Sequence, residues 1–131
     1  MSDLGYENLD RRAFAGAFRK VLACRDSGIL LAEDDGEPCG LLAWSLRPML
    51  HLAGPVFSID ELVVAGPSRG LGAGQRLLKA ALLLARRRGA VRVELLTNRR
   101  RESYRRGFYL KNGFSEVDSA VFRMPVSSDM V

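Results

Sequence analysis

The chain has 131 residues, of which 47% are hydrophobic and 27% charged; this suits one domain with a real core and is too apolar for a disordered chain. No run of 18 apolar residues occurs, which excludes a membrane-spanning helix, and the acidic, polar stretch from Met1 to Asp10 lacks the basic-then-apolar order of a secretory signal. Cys24 and Cys39 have no metal or redox spacing, so free thiols in a reducing, cytoplasmic setting are expected. The net charge of +5 conceals a split: residues 1–66 carry six Lys/Arg against ten Asp/Glu, and residues 67–131 carry fourteen against five, giving −4 and +9. The second half should attract anions. Its basic residues lie partly on helix faces with few aromatics between them, which argues against a nucleic-acid partner.

In chain order, Leu9 to Arg25 has apolar residues at 14, 17, 18, 21 and 22, a helical spacing. Ile29–Ala32 reads as a strand, Glu33 to Pro38 as a turn around Asp35-Gly36, and Cys39–Leu46 as the returning strand of a hairpin. Trp44 lies on that strand as a core candidate. Residues 47–55, with two prolines, read as a loop holding His51, the single histidine. Val56–Ala65 is a third strand with Asp60 and Glu61 inside it, ended by Gly66-Pro67. A helix follows from Ala73 to Arg88, with Leu77, Leu78, Ala81, Leu84 and Ala85 on one face and Gly89 as its stop. Val91–Leu96 is a fourth strand and Glu102–Asn112 another helix. Phe114–Val117 and Ala120–Pro125 form a last hairpin. The order α-β-β-β-α-β-α-β-β predicts an α/β fold with a mixed sheet, one domain over 1–131, with residues 1–8 and 127–131 as flexible ends.

The stretch Val63-Val64-Ala65-Gly66-Pro67-Ser68-Arg69-Gly70-Leu71-Gly72-Ala73-Gly74 sits where the third strand gives way to the helix. The first amides of a helix have no internal partners, and the helix dipole is positive there. A glycine loop lets a phosphate reach those amides, and Arg69 adds a full charge that grips phosphate at two points. The plain alternative is a tight chain reversal. An ATP-type loop is excluded, because Gly74 is followed by Gln75-Arg76 rather than Lys-Ser/Thr. The dinucleotide fingerprint fails at Gln75, where it requires glycine.

The segment Arg69-Gly70-Leu71-Gly72-Ala73-Gly74 fits Arg-x-x-Gly-x-Gly and resembles the acetyl-CoA motif of the GNAT superfamily of N-acetyltransferases. Upstream, Ile59-Asp60-Glu61-Leu62-Val63-Val64 resembles the family's acidic-then-apolar fourth strand; downstream, Phe108-Tyr109-Leu110-Lys111-Asn112-Gly113-Phe114 resembles its Phe-Tyr-x-x-x-Gly-Phe signature. The resemblance is sharp over 56–114 and thin before residue 29. It implies a single domain with a central splayed sheet flanked by helices, and acetyl-CoA as co-substrate with no metal. Coenzyme A would lay its diphosphate on the amides of Gly70, Leu71, Gly72, Ala73, Gly74 and Gln75 beside Arg69. Its pantetheine arm would pair as a pseudo-strand with Leu62, Val63 and Val64. A backbone N–H near Val64 would hold the developing oxyanion. Tyr109 is then the acid that protonates the leaving thiolate, and Glu61, before Asp60, the base for the attacking amine. Side-chain alternation puts those two carboxylates on opposite faces, unless a bulge reverses it; the strands at 56–65 and 91–96 would have to splay apart, and a bulge near 63–66 would help. Asn98 is a further cofactor contact, although many relatives carry asparagine seven residues before the tyrosine, where this chain has Glu102. The acceptor is a small-molecule or peptide amine. The short start leaves open a pocket completed by a second copy in a homodimer. A non-catalytic acyl-CoA-binding module and an acetyltransferase acting on an RNA-linked amine are the alternative functions.

Overall fold

A computed structural model describes residues 10–66, 69–70 and 72–129. The chain forms two compact units, one ending at Asn98 and one from Arg99 onward. In the first, α1 (Arg11–Ala23) is capped by Asp10, whose carboxylate accepts from the Arg12 amide at 2.8 Å. The strands β1 (Ser27–Asp34) and β2 (Glu37–Met49) form a hairpin whose two-residue turn places Asp35 at φ 51° and Gly36 at φ 81°, the paired left-handed residues that favour Asp-Gly at such turns. A 3-10 turn (Leu50–Leu52) leads to β3 (Gly54–Val64), followed by α2 (Ala73–Arg87) and β4 (Arg92–Leu95). The sheet order is β1-β2-β3-β4, antiparallel except for the parallel β3–β4 pair.

The predicted loop over 47–55 is mostly strand. β1 starts at Ser27 opposite Ser45, so β2 runs past it with β3 as its one neighbour, and Pro48 pairs with Pro55. A proline's missing donor is tolerated where a strand has one neighbour.

The helix α2 covers the face carrying Leu42, Trp44, Phe57 and Ile59. Its Ala73, Leu77, Leu78, Ala81 and Ala85 are buried, four of them from the predicted stripe; Leu84, the fifth of that stripe, is half-buried. Each fully buried large side chain, such as Phe57, Leu42 or Leu78, contributes roughly 1.5–3 kcal/mol. Trp44 stacks on Phe57 at 5.1 Å between centroids. A Cβ at Gly28 would come within 2.8 Å of the Trp44 ring, so that position has to be glycine. Arg88 lies over the same ring at 5.6 Å and pairs with Asp26 at 2.9 Å, tying the end of α2 to the start of β1. The helix closes with Gly89 at φ 74°, its amide donating to the Arg86 carbonyl and that of Ala90 to the Ala85 carbonyl, a Schellman stop.

In the second unit, the predicted helix over 102–112 divides into α3 (Glu102–Arg105) and α4 (Phe108–Lys111), because Gly107 between them adopts φ 71°. The predicted last hairpin does not form: among the described residues, 114–126 contain no strand. The Ser119 amide donates to the Val117 carbonyl at 3.1 Å, a three-residue turn tighter than the β-turn that sets a hairpin register.

Candidate active site

The pairing between β3 and β4 runs from Val56–Arg92 to Ile59–Leu95 and stops there, while β3 continues to Val64 against β2. No strand of the described residues lies against β3 on that side beyond Ile59. The Ala65 amide donates to the Cys39 carbonyl at 2.8 Å, which makes Gly40–Val64 a non-hydrogen-bonded pair of the antiparallel ladder, and by alternation Leu42–Leu62 another. The backbone N–H and C=O of Leu62 and Val64 therefore point toward the open edge, about 7 Å apart. Val63, between them, points its backbone at β2.

The bulge lies at Asp60, not at 63–66. Ala43 pairs with Glu61 and Trp44 with Ile59, leaving Asp60 as the extra residue. It reverses the expected opposite facing of the two carboxylates. Glu61 shares a face with Ala43, and Ala43 with Ser45; Ser45 pairs with Ser58, whose hydroxyl donates to the Asp60 carboxylate at 2.7 Å. Asp60 and Glu61 thus stand on one side of the sheet, opposite the face covered by α2.

At the end of β3 the chain turns into α2 through Arg69, Gly70 and Gly72. Gly70 has φ 83° and Gly72, the N-cap, φ 86°, a backbone that β-carbons oppose. A Cβ at either would meet nothing within 4 Å. Gly72 offers no side-chain cap to the first helical amides, which belong to Ala73, Gly74 and Gln75. The Arg69 Nε donates to the Val64 carbonyl at 3.1 Å, setting its guanidinium against the strand end. Leu71, also expected in this cradle, lies outside the described residues.

Sequence reading missed Thr97. It follows β4 where the strands part, and its Oγ1 is buried with no hydrogen-bond partner. Such a hydroxyl costs about 1–3 kcal/mol unless something bonds it. Its signal in the sequence was a polar residue directly after an apolar strand. Asn98 is next to it. The glycine-lined opening, the uncapped amides and the orphan hydroxyl together suit a long carrier with a diphosphate at one end and amide groups along its arm. No cluster of three metal-ligating side chains occurs among the described residues.

In the second unit, Tyr109 is half-buried on α4, edge-on to Phe108 at 5.1 Å and to Phe114 at 6.1 Å. The Phe-Tyr-x-x-x-Gly-Phe segment folds this way because Gly113, at φ 92°, closes α4: the Phe114 amide donates to the Tyr109 carbonyl and that of Gly113 to the Leu110 carbonyl. The Asn112 side chain adds a bond to the Phe108 carbonyl at 2.7 Å. Nearby, the Tyr104 phenol donates to the Glu116 carboxylate, which raises its pKa above the ordinary 10.0; Arg99 pairs with the same carboxylate at 3.6 Å.

A half-open strand edge running into a glycine-led helix start without a side-chain cap, with two carboxylates on the strand beside it, is compatible with an acyl-CoA-dependent amine acetyltransferase. The sequence model of the acetyltransferase (GNAT) family matches residues 5–114. The chain is 38% identical over 109 residues to an aminoalkylphosphonate N-acetyltransferase of Salmonella typhimurium, covering 82% of this chain and 70% of that protein. Its fold is similar to that of an aminoglycoside acetyltransferase from an uncultured soil metagenomic sample in complex with sisomicin, with a TM-score of 0.81 at 16% identity over 94% of this chain and 80% of the other. It is also similar to the aminoglycoside N-acetyltransferase AAC(6')-Iy in complex with CoA, with a TM-score of 0.79 at 17% identity over 92% and 80% of the two chains. The chain belongs to the GNAT acetyltransferase family and is an acetyl-CoA-dependent N-acetyltransferase.

Proposed function

We propose that the acceptor is a small aminoalkyl compound bearing a phosphonate, and that the whole of residues 1–131 serves as one acetyltransferase domain in the cytoplasm. The acceptor class is supported by the relative of 38% identity, whose name specifies aminoalkylphosphonates. The single-domain reading is supported by a family match over residues 5–114, which takes in most of the first compact unit and runs into the second.

Bound acetyl-CoA supplies an acyl thioester and a thiol leaving group. The amides of residues 70–75 and the Arg69 guanidinium hold its diphosphate. Leu62 pairs its outward N–H and C=O with the pantetheine amides, as an added strand would, and the Thr97 hydroxyl takes a further bond from the arm. The Val64 N–H polarises the thioester carbonyl and stabilises the charge that grows on its oxygen. Glu61, with Asp60 beside it, receives the proton of the acceptor ammonium, directly or through water. The freed amine nitrogen attacks the carbonyl carbon, the new C–N bond forms and the C–S bond breaks. Tyr109 donates its phenolic proton to the departing thiolate, a transfer between groups of similar basicity, and the tyrosinate is returned to the phenol by the second proton that the nitrogen sheds, through water, as the amide forms; its place in the Phe-Tyr signature supports that role.

The observation that carries this reading is the β3 edge, open from Asp60 onward and ending at two left-handed glycines. The test is release of free thiol from acetyl-CoA across an amine panel of aminoalkylphosphonates, an aminoglycoside and a peptide with a free N-terminus. Turnover highest with the phosphonates is expected; turnover confined to the peptide or the aminoglycoside overturns the acceptor assignment.

A further inference from the structure

The face of the sheet away from α2 carries a row of charge in which Arg47, Arg92 and Glu94 have no part in the acetyl-transfer chemistry. In the register, Arg47 of β2 and Arg92 of β4 flank Val56 of β3; one step along, Ser45 and Glu94 flank Ser58. The two arginines start about 10 Å apart at the backbone, two strand spacings, yet both reach the same carboxylate: Arg47 Nη2 lies 3.4 Å from Glu94 Oε1, and Arg92 Nε 3.9 Å from Glu94 Oε2. Val56 beneath them is fully buried, so the arginines stand over a closed apolar floor. Ser58 and the carboxylate it bonds, Asp60, continue the row toward the open edge.

We infer that Arg47 and Arg92, held in place by Glu94, form the subsite for the acidic group of the acceptor. This rests on the acceptor reading given above and names the residues that would select it. Two guanidiniums share one carboxylate, so the site carries a net positive charge. Each guanidinium has five N–H donors; Arg47 spends one on Glu94 at 3.4 Å, and Arg92 is ion-paired to it at 3.9 Å without a hydrogen bond; the remainder suit the oxygens of a phosphonate. As isolated surface ion pairs these contacts would contribute little to stability, so their convergence is better explained by a ligand. The geometry also sets the acceptor's size. Successive rows on one face of a strand are about 7 Å apart, so an ammonium at Asp60 and Glu61 lies one to two rows from the arginine forks. That span suits a short aminoalkyl chain.

The test compares 2-aminoethylphosphonate with propylamine as acceptors for the full-length enzyme, with acetyl-CoA saturating, in wild type, Arg47→Gln and Arg92→Gln. The wild type is expected to prefer the phosphonate. In each variant the preference, taken as the ratio of the two kcat/KM values, should fall about 10- to 100-fold, the worth of a charge-assisted hydrogen bond, with the change appearing in KM for the phosphonate. Melting temperatures of the variants within about 2 °C of wild type would confirm that the fold is intact, as expected for side chains about half exposed. Variants whose preference is unchanged overturn the subsite while leaving the acceptor reading standing, whereas a wild type that prefers propylamine overturns both and leaves acetyl transfer to amines standing. A wild type that acetylates neither compound overturns the acceptor reading and the subsite together.

Discussion

Replacing Thr97 with valine should move stability and cofactor affinity in opposite directions. Its hydroxyl is buried without a hydrogen-bond partner from the protein, and valine has nearly the same shape. Removing a buried hydroxyl that nothing bonds recovers part of a desolvation cost of about 1–3 kcal/mol; about 1 kcal/mol is a fair expectation. At roughly 2.1 cal/mol/K of unfolding entropy per residue, a chain of this length gains about 4 °C of melting temperature for each kcal/mol. If, as proposed, the hydroxyl bonds the pantetheine arm, the same substitution costs a net of about 0.5–1.5 kcal/mol, a Kd for acetyl-CoA about 2- to 12-fold weaker. Thermal melts of the unliganded proteins and calorimetric titration with acetyl-CoA measure the two effects. A Thr97→Val protein that melts several degrees below wild type, or that binds acetyl-CoA as tightly, refutes the argument. Thr97→Ser, which keeps the hydroxyl, should restore affinity without the gain in stability.

Three further outcomes are expected. Gly72→Ala forces a β-carbon into the left-handed region at φ 86°, costing about 1–2 kcal/mol, so melting should fall by about 4–8 °C and the rise on adding acetyl-CoA should shrink sharply; a full ligand-induced rise would remove Gly72 from the cradle. Tyr109→Phe should lower kcat by about 10²- to 10⁴-fold with the Kd for acetyl-CoA unchanged, as steady-state rates and calorimetry together would show; undiminished turnover would dismiss it as the acid. Tyr104 should ionise above pH 10, because its neutral phenol donates to Glu116. That bond's contribution is complete below the unfolded-state value near 10 and fades as pH rises through the higher folded-state value. Near-ultraviolet absorbance should report the late ionisation, and Glu116→Gln should bring it back toward 10; an unmoved titration would mean the bond is absent in solution.

The sequence was most informative where local chemistry decides structure. Asp35-Gly36 announced a two-residue hairpin turn, Gly89 announced the end of α2, and the stripe of Leu77, Leu78, Ala81 and Ala85 announced its buried face. It was least informative where a partner strand decides. Pro48 and Pro55 look like loop residues until β2 is seen to outrun β1. The bulge at Asp60 depends on how β3 registers against β2, which neither strand's composition encodes, so the shared facing of Asp60 and Glu61 was invisible to simple alternation. Phe114 to Val126 alternates like strands, but a ladder needs a neighbour as well as a pattern. The glycine corner was legible because positive φ at Gly70 and Gly72 is a specific demand of that backbone. Thr97 was not, because an unsatisfied hydroxyl is a property of surroundings rather than of residue type.

The unfinished ladder along β3 has a cost when the enzyme is empty. Outward-facing amides and carbonyls at Leu62 and Val64 form a short template onto which a stray peptide can add as a strand. Many proteins shield such a rim with a helix or a row of lysines; here the exposed length is two residues' worth, and the Arg69 side chain already engages the Val64 carbonyl at its far end. A carrier laid along that rim would give the enzyme a temporary fifth strand, so the same groups that recruit the acetyl donor would guard the resting protein against sticking to its neighbours whenever the donor is plentiful.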